Sequence, residues 1–254
     1  MNKIFFLIIT LSLLSPLIVL GQINDPWIIG DTLIETAINN SEITLRNVEL
    51  YWSADTYVPF NYQGRALPVK NSFVTIDVYL EISGENPKNL KYSWFLDGFF
   101  QESKSGYGKD SFRFGVRKTK GDSHEVLVKI FNESRSFLIE RTIKTPIAEP
   151  EIVVSPLSEN SIFSKIITVL SGKEISFIAK PYFFSIDKLA NLTFNWQING
   201  QQPTTSSDYG ASILNLTIPE KKGTKLLEKE LQINVTNRVN SGQRASQKIK
   251  LQIY

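Results

Sequence analysis

His124 is the one histidine in the chain, and it lies in the run Gly121-Asp122-Ser123-His124-Glu125. Serine, histidine and aspartate are the side chains of nucleophilic acyl transfer, but sequence neighbours cannot fold onto one another in the geometry that chemistry needs. The run is expected to be a solvated turn entering a strand. Asp and Glu residues are scattered, so a hydrolase would have to gather its carboxylate pair from distant strands of both halves of the chain. No EF-hand loop and no phosphate-cradling glycine loop occurs, and Lys221-Lys222-Gly223 reads as a turn tip. The absence of cysteine removes thiolate nucleophiles, zinc–thiolate sites and iron–sulfur clusters. No catalytic residue, metal or cofactor is expected.

Recognition chemistry has firmer footing. Between Tyr51 and Tyr62, five of twelve residues are aromatic, and the run continues through Gly64-Arg65-Ala66-Leu67-Pro68. Trp52, Asp55, Tyr57, Phe60 and Tyr62 are the candidate partner-binding residues, because Tyr and Trp rings are stiff, broad anchors for a protein or glycan. The competing reading has these rings cover an open sheet edge or the end of a core, where a first strand crosses between sheets. A carbohydrate-binding module would instead place Trp52, Tyr57, Phe60 and Tyr62 on one exposed flat platform.

The frame that must position these residues is written twice. Leu90-x-Tyr92-x-Trp94-x-x-Asp97-Gly98, Tyr107-Gly108 and Phe112-x-Phe114 recur 102 residues later as Leu192-x-Phe194-x-Trp196-x-x-Asn199-Gly200, Tyr209-Gly210 and Leu214-x-Leu216. Around them the chain alternates apolar and other residues, as in Val74-x-Ile76-x-Val78-x-Leu80-x-Ile82 and Val126-x-Val128-x-Ile130, and again in Ile175-x-Phe177-x-Ala179 and Leu231-x-Ile233-x-Val235. Period-two segments broken by Gly, Asn, Asp and Pro predict half-buried strands of an antiparallel sandwich. Trp94 and Trp196 then sit on core strands, packed by aliphatic residues where a disulfide would otherwise lie. The fold class is all-β, with two tandem immunoglobulin-like β-sandwich domains. The divisions are 1–21 signal peptide or signal anchor, 22–43 lead-in segment, 44–145 first sandwich, 146–151 Pro-containing joint and 152–254 second sandwich.

Met1-Asn2-Lys3 followed by the apolar run Ile4–Leu20 and Gly21 has the pattern of an export signal. Cleavage after Gly21 is one reading. The other retains residues 4–20 as a membrane anchor, about 25 Å of helix. Exported domains without disulfides must hold by apolar packing, and 42% apolar content with 16 Phe, 9 Tyr and 4 Trp supplies it. A long disulfide-free exported chain looks more bacterial than eukaryotic. Net charge is +3, so the basic stretch Arg113, Arg117, Lys118, Lys120 reads as a solvated face, and no nucleic-acid partner is expected.

The phrase Tyr51-Trp52-Ser53-Ala54-Asp55-Thr56-Tyr57-Val58-Pro59-Phe60, with Tyr62-x-Gly64-x-Ala66-Leu67-Pro68, resembles the opening of a group of uncharacterised exported proteins of candidate-phylum bacteria such as Parcubacteria. Tyr92-x-Trp94, Ser105-Gly106-Tyr107-Gly108-Lys109 and Ala179-Lys180-Pro181-Tyr182-Phe183-Phe184-Ser185 extend the resemblance over residues 47–254. The group's usual Pro-Pro-Phe reads Val58-Pro59-Phe60 here. Its members are similar to PKD-like and immunoglobulin-like domains and are often associated with type IV pilus genes. The resemblance implies an exported surface or envelope interaction module with a protein or glycan partner, reaching the membrane only through residues 4–20 if these are retained.

Overall fold

The computed structural model describes residues 43–254, except 136, 158–164, 204–211, 221–222 and 224–225. The export segment, the lead-in up to residue 42, Tyr209-Gly210 and Lys221-Lys222 lie outside the described residues.

The first sandwich packs two sheets face to face. One has the order β1 (Thr44–Ala54), β2 (Phe73–Ser83), β6 (Ser111–Gly115). The other runs β4 (Phe99–Phe100), β3 (Lys91–Leu96), β7 (Ser123–Phe131), β8 (Leu138–Pro146), with β5 (Gly106–Tyr107) also on β3. Alternation decides the faces: Val74 and Ile76 of β2, Phe112 and Phe114 of β6 and Val126, Val128 and Ile130 of β7 all point into one core. Trp94 is completely buried at its centre, stacked on Phe112 with ring centroids 5.3 Å apart. Its indole N–H donates to the Lys109 carbonyl at 2.8 Å, which satisfies the ring's one polar group.

The second sandwich repeats this plan. Sheet β13 (Ile213–Thr217), β11 (Glu174–Tyr182), β9 (Glu151–Pro156) faces sheet β10 (Ile166–Val169), β15 (Arg244–Ile253), β14 (Leu227–Asn237), β12 (Leu192–Ile198). Trp196 is buried among Phe177, Phe194, Leu214 and Ile233. The repeated turn is the same object in both halves. Asp97-Gly98 and Asn199-Gly200 each place two residues at positive φ, 50° and 83° in the first and 49° and 77° in the second. That is the two-residue hairpin geometry that Asp-Gly and Asn-Gly favour.

Both sandwiches begin with a strand that changes sheets. β1 pairs with β2, and the chain then crosses so that Val69 bridges Ala148 in parallel. β9 pairs with β11, and β10 lies parallel to the last strand, β15. Tyr51–Ala54 closes an 11-residue strand, with Val48 and Trp52 buried and Leu50 and Ala54 packed against the same core. The joint is short and tied down: the Ile147 N–H donates to the Asp122 carbonyl at 3.0 Å, and the Ala148 N–H donates to the Pro68 carbonyl at 2.8 Å.

Candidate functional site

The crossover from Asp55 to Pro68 carries most of the aromatic run, and it reaches the second sandwich. The Tyr57 N–H donates to the Phe184 carbonyl at 2.7 Å, and the Phe183 N–H donates back to the Tyr57 carbonyl at 2.7 Å. The Tyr62 ring meets Tyr182 and Phe183 edge-on, with centroids 5.4 and 6.0 Å away. Burial, then the Tyr62 and Tyr57 hydroxyls, push the Tyr182 phenol above its ordinary value.

The other candidates part company. Trp52 turns inward from β1, buried beneath the Arg65 guanidinium, 4.6 Å from its ring centroid. Asp55 accepts from the Phe73 N–H at 2.7 Å and from Arg113 at 3.1 Å on the sheet edge. Phe60 is wholly exposed. The expectation of one partner-binding surface is therefore corrected, and with it the flat carbohydrate platform: a strand puts Trp52 into the core, and Tyr57 and Tyr62 go to the joint.

A polar clamp that no local pattern announces completes the joint. Gln243 and Asn237 are buried in the second sandwich. The Gln243 Oε1 accepts from the Ser185 N–H at 2.9 Å and from Asn237 Nδ2 at 3.0 Å. Its Nε2 donates across the joint to the Lys70 carbonyl at 3.1 Å. Asn237 Nδ2 also donates to the Ser185 carbonyl at 3.1 Å, and its Oδ1 accepts from the Val239 N–H at 2.9 Å. A buried amide is tolerated when such partners satisfy it, and its directional bonds then hold one orientation.

His124 also departs from expectation. It is buried, not solvated, because it begins β7 on the core side, and its ring lies 5.2 Å from Phe114. Nδ1 lies 2.7 Å from Asp97 Oδ2, and Nε2 accepts from the Arg117 N–H at 3.4 Å, which assigns the ring proton to Nδ1. Asp97 Oδ1 accepts from Lys118 Nζ at 2.7 Å and from the Glu125 N–H at 3.0 Å. Asn199 makes the counterpart of the last of these bonds, accepting from the Glu230 N–H at 2.8 Å. With both ring nitrogens engaged, His124 pins a hairpin to a strand and does not face Ser123 as a base.

Burial pushes the Asp97 carboxyl up, but its bonds to Lys118, Glu125 and His124 outweigh that and hold it below its ordinary value. A carboxyl depressed by folding stabilises the fold above its unfolded pKa of about 3.9, and the gain is lost as pH falls through the lower folded value. The first sandwich is thus expected to lose stability as pH drops below about 4. Asp97→Asn, which keeps the Glu125 bond, should flatten that part of the curve. Urea midpoints for the variant that fall as steeply as the parent's between pH 5 and 2.5 would remove Asp97 as the source.

The fold defines the class: this is a tandem immunoglobulin-like β-sandwich protein. No protein-family model matches the chain, and no curated protein matches it. Among solved structures it is similar to the three N-terminal domains of the highly immunogenic outer capsid protein (Hoc) of bacteriophage RB49. That match has 14% identity over 83% of this chain and 59% of that one, at a TM-score of 0.45. SGBP-B of the Bacteroides ovatus mixed-linkage glucan utilization locus, solved with a mixed-linkage heptasaccharide, is 15% identical over 84% and 47%, at 0.26. The four N-terminal Ig domains of Dscam1 isoform 6.44 are 12% identical over 80% and 46%, at 0.30. The chain spans about half to three-fifths of these structures.

Proposed function

We propose that the chain is an exported, non-catalytic interaction or scaffolding module of the cell surface or envelope, engaging a protein or glycan partner. The observation that carries this reading is the locked joint. The Tyr57–Phe184 bridge and the Gln243 clamp fasten the two sandwiches to each other. A stiff frame presents a surface at low ordering cost, which is what a binding or spacing element needs. The polar groups that could do chemistry are instead consumed by structure, His124 and Asp97 above all.

Export and an envelope location rest on the apolar run Ile4–Leu20. A place beside type IV pilus machinery is the narrowest part of the proposal, supported by the resemblance that Tyr51–Phe60 carries. Protease added to intact cells of the source organism is expected to degrade the protein while cytoplasmic markers survive. Protection until the cells are broken would sink the surface reading.

A further inference from the structure

The two outer faces of the first sandwich are unlike, and they complement each other. On the face of β1 and β2, side chains alternating with the core residues place Tyr51 opposite Asp77 and Tyr79 opposite Glu49, with Glu81 one row further on. Both tyrosines are about half exposed, at 50% and 52%. Apart from the Asp55–Arg113 pair, the described residues of this face set the carboxylates of Glu49, Asp77 and Glu81 against the cation Arg46.

The opposite face, on β3, β7 and β8, carries Phe95 against Phe100 and Phe131 against Leu138. Lys91 and Arg135 hold their charges over the Phe131 ring, at 5.9 and 5.5 Å, and Lys129 lies 5.9 Å over Phe95. Glu140 answers Lys129 at 2.6 Å, Lys144 is paired with Glu125 at 3.6 Å, and Glu133 sits on the adjoining turn. Between Phe95, Phe131 and Leu138 lies an open depression of about 330 Å³, rimmed by Lys129, Arg135 and the Lys129-paired Glu140.

We infer that these faces bind each other in successive copies of the chain: the acidic tyrosine face of one copy docks on the cationic phenylalanine face of the next. Tyrosine rings flanked by carboxylates are the chemistry that a phenylalanine-walled, cation-rimmed depression takes up, through ring contact and charge together. The inner faces of the two sheets pack on each other, so the outer faces point in opposite directions. The contact is therefore heterologous, and each added copy leaves one free face of either kind.

Three or four strands spaced about 4.8 Å, each about six residues long, give a patch of only roughly 300–400 Å². That is below the roughly 800 Å² per partner of a standard interface, so association is weak in dilute solution and gains from tethering copies to one surface. The inference goes beyond the surface-module reading and does not depend on it.

The test is sedimentation of the chain isolated after export, in a neutral detergent that covers residues 4–20 if they remain. At low ionic strength, the average mass is expected to rise steadily from 5 to about 500 μM, and about 0.5 M salt should reverse the rise. The double variants Asp77→Lys/Glu81→Lys and Lys91→Glu/Arg135→Glu should each bind themselves at least tenfold more weakly, with unchanged melting curves. Mixed in equal amounts, each variant contributes one intact face whose partner is intact on the other, and the two altered faces are again opposite in charge, so association should return in the mixture. A parent that stays monomeric throughout overturns the inference. So does a dimer that survives in either variant alone, or a mixture that fails to pair.

Discussion

Trp94→Ala is expected to destabilise the first sandwich by about 3–5 kcal/mol, the range for truncating a buried large aromatic side chain. Domains have only about 5–15 kcal/mol to lose, so the variant should forfeit a large share of its stability. Two losses combine. The ring vacates the centre of a core where it stacks on Phe112, and the Lys109 carbonyl loses its donor. Trp94→Phe separates them, since it keeps a ring against Phe112 and removes only the indole N–H. Urea unfolding followed by far-UV circular dichroism should rank the parent first, Trp94→Phe second and Trp94→Ala a distant third. A cost below about 1 kcal/mol for the alanine variant would mean that the ring is not packed as described.

Gln243→Leu should act on the joint rather than on a core. Leucine has nearly the same volume, but it strips the Ser185 N–H and Asn237 Nδ2 of an acceptor and the Lys70 carbonyl of a donor. Buried groups left without partners cost about 1–3 kcal/mol each, with partial relief from water at the joint. A net loss of about 2–3 kcal/mol from the second sandwich is expected. The functional consequence lies in shape: with the clamp gone, the two sandwiches should sample a wider range of angles, seen as a broadened small-angle scattering distance distribution. Phe60→Ser is the control, because a fully exposed ring should matter by less than about 0.5 kcal/mol and leave scattering unchanged. If Gln243→Leu scatters and melts like the parent, the Tyr57–Phe184 bridge alone holds the joint.

Much of the architecture follows from local pattern. A strand half-buried in a sandwich must alternate, so Val74-x-Ile76 and Val126-x-Val128 declare both their conformation and their inner face. Asp97-Gly98 and Asn199-Gly200 declare a turn because few other residues adopt two successive positive φ angles. The same logic covers Trp52, which continues Val48-x-Leu50-x-Trp52-x-Ala54. That signal was present, but the density of aromatic residues after it suggested a surface and masked the strand.

His124 marks where local reading stops. Its neighbours describe a polar turn, yet its burial depends on Asp97, 27 residues earlier, folding back to receive its ring N–H. The clamp lies further out of reach, because Gln243 meets the Lys70 carbonyl across 173 positions. Sequence by itself determined the two all-β units, their turns and their tryptophan cores, since periodicity records which side of an element is withdrawn from water. Only the tertiary structure decided that the aromatic crossover fastens the second sandwich and leaves Phe60 alone outside. A ring has the same affinity for any apolar surface, and which surface covers it depends on how distant segments are brought together in the fold.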